Sequence, residues 1–224
     1  EVDFTAMFTP LAKWATRIDD PARIPEYVAR AYSVAMSGRP GPVVIALPED
    51  MLIEVAEAVD RPRVDRPAQA PDTGTMETFA SLISSAQSPV AIVGGAGWND
   101  DAARDFAEFA AAHGIPVAAG FRRQDAIAND CPVWAGNLGY GPNPKLTDRI
   151  KSADLILAVG ARLGEATTDS YTLVTPDHPG KTLIHVHPDP NELGHVYRAD
   201  LAICAGMPEF ARAAAAMPKP QEPK

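Results

Sequence analysis

The sequence has little cysteine and no long apolar run. Cys131 and Cys204 are its only cysteines, too few for a disulfide framework or a zinc cluster and typical of a reducing compartment. No stretch approaches the roughly 18 consecutive apolar residues of a membrane-spanning helix. The first residues, Glu-Val-Asp-Phe, lack the basic start of a signal peptide. We therefore expect a cytoplasmic protein without a membrane segment.

Basic residues are also in short supply. The 20 Lys and Arg residues face 29 Asp and Glu residues, which gives a formal net charge of −9. Such a charge repels the phosphates of nucleic acids and of anionic membranes, so neither is expected as a partner. Hydrophobic residues make up 46% and charged residues 22% of the chain, which are ordinary values for a globular protein.

The beginning of the chain predicts one strand-helix-strand unit. Strands are expected at residues 13–18 and 43–47, and the helix between them should end at Gly38 because the following Pro-Gly-Pro cannot continue it. Such a unit alone leaves open strand edges, so we interpret residues 1–60 as the C-terminal remnant of a preceding α/β domain. Three prolines in residues 61–71 then predict an extended linker.

Residues 72–218 alternate between helical and strand patterns, which indicates parallel strands with helices on both faces. We predict an α/β fold, a doubly wound and mostly parallel six-stranded sheet of the Rossmann-like kind. The strands that the apolar pattern locates are residues 90–93, 116–119, 154–159, 182–187 and 201–204. Residues 219–224, within the polar end PKPQEPK, are expected to be a disordered tail.

A glycine-rich turn is the first candidate ligand site. Gly94, Gly95, Ala96 and Gly97 follow a predicted strand and precede a predicted helix, which is where a doubly wound fold receives a nucleotide phosphate on free backbone amides. The third glycine of the dinucleotide fingerprint is absent. The alternative is that these glycines only permit a tight turn, and the sequence leaves both interpretations open.

Two further strand ends carry charged side chains. Arg162 follows the strand at 154–159 and could meet a phosphate or carboxylate, or instead form an ion pair with a nearby acid at the rim. Asp189 follows the strand at 182–187. Because the carboxyl ends of parallel strands share one edge, we predict that Gly94–Gly97, Arg162 and Asp189 converge on one cofactor-binding crevice.

No catalytic or metal-binding residue is predicted. His185 and His187 lie two apart on a strand and so point to one face, a spacing that metals use, but no third ligand is matched to them. His178 and His195 fall in predicted loops. The segment Thr167–Ser170 offers hydroxyls beside an acid without the strand-to-helix elbow of a serine nucleophile, so we interpret it as a turn.

Several segments resemble a known family. Residues 31–50, AYSVAMSGRPGPVVIALPED, resemble the end of the pyrimidine-binding domain of thiamine-diphosphate-dependent enzymes of the acetolactate synthase and pyruvate oxidase group. The segments SPVAIVGGAG, PVAAGFRRQDAIANDCPVWAGNLGYG, ADLILAVGARLGE and TLIHVHPDPNELG resemble the central domain of these enzymes and occur in the family's order. The resemblance covers nearly the whole chain.

The resemblance implies an intact parent, a homo-oligomer, that uses thiamine diphosphate and Mg²⁺ to act on a 2-oxo acid by decarboxylation or carboligation. We expect the chain to begin after the activating glutamate of such enzymes, and it contains no Gly-Asp-Gly motif, so alone it should be inactive. Some relatives bind FAD or ADP in this domain, and Gly94–Gly97, Arg162 and Asp189 fall on positions that resemble the flavin-contacting segments. The alternatives are therefore a scaffold domain, a nucleotide-binding module or a purely architectural domain.

Overall fold

A computed structural model describes residues 2–177 and 180–220. The chain divides into two compact units, Glu1–Pro67 and Ala68–Lys224, and the boundary falls inside the predicted linker. That the first unit is the remnant of a longer domain stays a prediction. His178 and the end of the predicted tail, residues 221–224, lie outside the described residues.

The first unit contains the predicted strand-helix-strand motif. Its strands, β1 (Trp14–Arg17) and β2 (Val43–Ala46), pair in parallel and are connected by helix α2 (Ile24–Met36). The remaining elements are α1 (Phe4–Phe8), a 3-10 turn (Pro21–Arg23) and α3 (Glu49–Leu52). No residue of α2, β1 or β2 is fully buried, so this two-stranded sheet has little core of its own.

The second unit is a six-stranded parallel sheet with helices on both faces. Its elements are, in chain order, α4 (Thr73–Ser85), β3 (Pro89–Val93), α5 (Asp100–Ala112), β4 (Val117–Ala119), β5 (Trp134–Asn137), α6 (Pro144–Ser152), β6 (Leu155–Val159), β7 (Thr182–His187), β8 (Leu201–Cys204) and α7 (Met207–Ala215). The strand order is β5-β4-β3-β6-β7-β8, and every neighbouring pair is parallel. The chain builds outward from β3 to one side and, after a crossover, outward from β6 to the other. This confirms the predicted doubly wound, Rossmann-like α/β fold.

Two apolar layers hold the helices to the sheet. Alternate residues of β6 point to opposite faces. Leu155, Leu157 and Val159 belong to the layer shared with α4, α5 and α7, whereas Ile156 and Ala158 belong to the layer shared with α6. Every residue of β6 is buried, which is why its sequence is apolar throughout instead of alternating.

In the second unit, the sequence interpretation did not locate strand β5 and helix α6. Strand β5 is not among the five strands that the apolar pattern locates, because its sequence Trp-Ala-Gly-Asn lacks the β-branched residues of a typical strand. Gly136 has φ +118°, and the register against β4 shifts once, so pairing at the sheet edge forms β5 despite its composition. Helix α6 does have a start signal in the sequence, the pair Asn143-Pro144. In the structure the Asn143 side chain accepts from the Lys145 N–H and Pro144 occupies the first turn.

An aromatic cluster gives the core a direct test. Phe79 of α4 is fully buried and contacts Phe109 of α5 and Phe210 of α7, with ring centroids 5.7 and 5.3 Å apart. We expect Phe79→Ala to lower the free energy of unfolding by about 3–5 kcal/mol. Tyr140→Ala is the control, because Tyr140 is 85% exposed and its loss should cost less than about 1 kcal/mol. Urea unfolding measures both, and equal losses contradict the core assignment.

Candidate functional site

The three predicted site segments lie at one edge of the sheet. Strands β3, β6 and β7 are neighbours and run parallel, so their carboxyl ends meet there. Gly94–Gly97 follows β3, Arg162 follows β6 and Asp189 follows β7. The strand order reverses between β3 and β6, and such a switch point is where doubly wound folds bind their ligands. The structure thus places the three segments at the same edge of the sheet, and their convergence on a cofactor stays a prediction.

At the switch point the backbone after β3 contacts the backbone after β6, and this contact requires glycine. Gly95 and Gly160 both have φ +69°, a left-handed conformation that residues with side chains rarely adopt. A Cβ on Gly95 would collide with the Gly160 carbonyl oxygen, and a Cβ on Gly160 would collide with the Gly94 carbonyl oxygen and lie 2.7 Å from Met207 Sδ. The Gly94 N–H donates to the Val159 carbonyl at 3.0 Å. Packing of protein on protein therefore explains Gly94 and Gly95 without a ligand.

Helix α5, which follows the glycine turn, has its amino end satisfied by its own residues. Asn99 Oδ1 accepts from the Ala102 N–H at 2.8 Å, and Asp100 and Asp101 place two carboxylates in the first turn. Carboxylates at this position repel a phosphate. Within the described part of the chain, the N–H groups of residues 95–97 donate to no protein acceptor. These three backbone amides are the hydrogen-bond donors of the turn that an anion can bind.

Arg162 forms an ion pair between the loops that follow the neighbouring strands β6 and β7. Its Nε lies 3.2 Å from Oε2 of Glu192, which belongs to the loop after β7. The Glu192 side chain is 9% exposed and the Arg162 side chain 50% exposed, so the guanidinium also faces solvent. The rim ion pair, one of the two alternatives for Arg162, is therefore present. Because Glu192 is buried, an anionic ligand that drew Arg162 away would leave a buried carboxylate without this partner.

Asp189 is engaged in its own turn. Its Oδ1 accepts from the backbone N–H and the side-chain amide of Asn191, both at 3.0 Å. The Asp189 N–H donates to Nδ1 of His187 at 3.1 Å. These bonds fix the start of the loop that carries Glu192. Asp189 is partly exposed.

His185 and His187 share one face of β7, as predicted. Their ring centroids are 6.2 Å apart, and each residue is only 2% exposed. His185 Nε2 lies 2.8 Å from the Ala161 carbonyl oxygen. Burial lowers the pKa of His185, because a charged ring loses its hydration there. Among residues 2–177 and 180–220, no group of three or more His, Cys, Asp or Glu side chains is arranged to hold a metal ion.

A fourth strand end adds groups that sequence reasoning did not place at this edge. Phe121, just beyond β4, donates its N–H to Thr167 Oγ1 at 3.2 Å, which ties β4 to the loop after β6. The Arg122 guanidinium lies over the Phe121 ring at 5.0 Å, and the Tyr140 ring meets Phe121 edge-on at 5.2 Å. No local pattern signals the contacts of Phe121 with Thr167 and Tyr140, because they join segments that are distant in sequence.

Together these features define a doubly wound α/β domain whose strand-end crevice is partly closed by its own side chains. The family model described as thiamine pyrophosphate enzyme, central domain, matches residues 76–214. The chain belongs to this family, and the resemblance drawn from its sequence segments is confirmed.

Known relatives are much longer than this chain. It is 28% identical over 91% of its length to the acetolactate synthase large subunit of Corynebacterium glutamicum. It is 30% identical over 95% of its length to the sulfoacetaldehyde acetyltransferase of Rhodobacter capsulatus. These alignments cover 33% and 36% of the two relatives, so the chain spans about one third of their length.

A solved structure shows the same fold. Benzoylformate decarboxylase from Polynucleobacter necessarius superposes with a TM-score of 0.79 at 27% identity, over 100% of this chain and 41% of that chain.

The backbone contact at the switch point predicts unequal effects of two neighbouring glycine substitutions. We expect Gly160→Ala to lower the free energy of unfolding by at least about 2 kcal/mol, because the new methyl group collides with fixed backbone in a left-handed residue. Gly164→Ala is the matched control in the same loop, since a Cβ there has nothing within 4 Å. Its change should stay within about 0.5 kcal/mol. Thermal and urea unfolding measure the stability of both variants. If Gly160→Ala were as stable as Gly164→Ala, the close backbone contact at Gly160 would be refuted.

Proposed function

We propose that this chain is the central-domain part of a thiamine-diphosphate- and Mg²⁺-dependent enzyme that acts on a 2-oxo acid by decarboxylation or carboligation, in the manner of acetolactate synthase. The supporting observation is the family match over residues 76–214 on a parallel doubly wound sheet. We further propose a cytoplasmic homo-oligomer. In the described part of the chain no helix is long and apolar enough to cross a bilayer.

The residues of this chain do not fit the charged end of the thiamine cofactor. A diphosphate held through Mg²⁺ needs several oxygen ligands, and the described residues offer no cluster of three or more candidate side chains. Arg162, the cation at the crevice, is already paired with Glu192. We therefore assign no catalytic step to this chain. Its proposed role is to hold the catalytic domains of the parent.

An activity assay tests the inactive-scaffold part of this proposal. The purified 224-residue chain, supplied with thiamine diphosphate, Mg²⁺ and pyruvate, should release no CO₂ above the protein-free rate. The acetolactate synthase of Corynebacterium glutamicum, assayed side by side, controls for the reagents. Saturable turnover that follows the protein through a second purification step would contradict the proposal.

Nucleotide binding is a second candidate function, with FAD or ADP as the ligand. The observation that favours it is the convergence of the amides of residues 95–97, the half-exposed guanidinium of Arg162 and the partly exposed Asp189 on one switch-point edge. Amides and guanidinium suit a diphosphate, and a carboxylate suits a ribose hydroxyl. Against it stand Asp100 and Asp101 at the amino end of α5.

Equilibrium titration with FAD and with ADP decides this candidate. If the diphosphate meets Arg162, Arg162→Ala should weaken binding by about tenfold or more, since a charge-assisted bond is lost. Arg104→Ala is the matched control, because Arg104 is an ion-paired surface arginine of α5, bonded to Asp101. An equal loss of affinity in both variants would exclude the carboxyl edge near Arg162 as the binding site. The absence of a saturable signal at millimolar ligand would leave a purely architectural domain.

A further inference from the structure

His185 is a buried group that neither the fold nor the proposed function requires. It is 2% exposed, and its partners in the adjacent strands, Ala158 and Ala202, are small and uncharged. His185 Nε2 lies 2.8 Å from the Ala161 carbonyl oxygen. Because a carbonyl only accepts, Nε2 carries the proton and the neutral ring has a bare Nδ1. That Nδ1 is buried and has no partner in the described part of the chain.

The bond to Ala161 holds the segment that carries Arg162. Gly160 donates its N–H to the Val186 carbonyl at 2.8 Å, and its φ of +69° turns the chain out of the sheet. The His185 bond acts on the next residue, immediately before Arg162. The imidazole on β7 therefore adds a side-chain bond to the segment that leaves β6.

The protonated form of His185 does not fit this site. It would carry a second N–H at Nδ1, for which the described residues provide no acceptor. Of the titratable groups that face it, His187 on the same strand disfavours the cation and Glu192 in the following loop favours it. Glu192, however, is bonded to Arg162 at 3.2 Å. Burial is the largest influence and lowers the pKa of His185, although the bond to the Ala161 carbonyl favours the cation.

We propose that His185 is a pH-dependent latch, in which the buried neutral ring holds residues 160–163 against β7. Protonation keeps the Nε2–H bond to Ala161 but adds a buried Nδ1–H that has no acceptor among the described residues, so the protonated ring favours a conformation in which it reaches solvent and this segment, with Arg162, is released. The released ring takes up a proton at the ordinary histidine value of about pH 6.5, whereas the latched ring does so only at lower pH. The latch is therefore fully closed above about pH 6.5 and opens as the pH falls below it. It acts whether or not a nucleotide binds.

Amide hydrogen exchange of the full chain, measured by NMR, tests the latch. The protection factor of the Gly160 N–H, corrected for the intrinsic pH dependence of exchange, should fall by about tenfold or more between about pH 7 and about pH 5. Protection of the Ala91 N–H in β3 should not change. Long-range ¹H–¹⁵N spectra of the His185 ring should show the Nε2–H tautomer at neutral pH and a titration midpoint below about 6.5.

Two variants isolate the imidazole. His185→Gln keeps an N–H donor for the Ala161 carbonyl but cannot titrate, so protection at Gly160 should become independent of pH. His195→Gln alters an exposed histidine in the loop after β7 and should retain the wild-type dependence. Where His185→Gln fails to fold, the ring titration of the wild-type protein decides alone. An Nδ1–H tautomer, a midpoint at or above about 6.5, or pH dependence that persists in His185→Gln overturns the proposal.

Discussion

The contact between two backbones where the strand order reverses is the constraint on which the carboxyl edge of this domain depends. Gly94 and Gly95 at the end of β3 meet Gly160 at the end of β6 so closely that neither Gly95 nor Gly160 has room for a Cβ. The two segments that follow β3 and β6 leave the sheet from this contact. The contact therefore sets the direction of the turn into α5 and of the segment that carries Arg162. The positions of the side chains in both segments therefore depend on these glycines.

The polar groups at this edge are largely satisfied by one another. Asn99 caps α5, Arg162 pairs with Glu192, Asp189 closes its own turn, and His185 bonds to the Ala161 carbonyl. Such mutual satisfaction suits a domain that must keep its shape without a ligand. It is consistent with membership of the thiamine pyrophosphate enzymes through their central domain, and with a parent whose chemistry, as we propose, resides in other domains.

Burial on both faces explains why most of the sheet could be predicted from the sequence. The residues of β6 and most of those of β7 are buried. Strand β6 is therefore a continuous apolar run, and β7 is apolar from Leu183 to Val186 apart from His185, so both strands can be recognised without knowledge of their neighbours. The strand β5 leaves no such run, because it exists only through its pairing with β4. Topology likewise predicted that Arg162 would lie at the carboxyl edge. Its partner Glu192 is 30 residues away, and a contact across that separation leaves no local pattern.

Interstrand nuclear Overhauser effects between β3 and β6 test the central claim most directly, because the contact of Gly94 and Gly95 with Gly160 requires these two strands to be parallel neighbours. The register pairs Ile92 with Ala158 and Val93 with Val159. The structure predicts Hα-to-amide-proton cross-peaks with the offset of a parallel ladder between these residues. Close Hα–Hα cross-peaks between them would reveal antiparallel pairing, and the absence of any cross-peak would show that β3 and β6 are not adjacent. Either result would contradict the claim that β3 and β6 are parallel neighbours at the point where the strand order reverses.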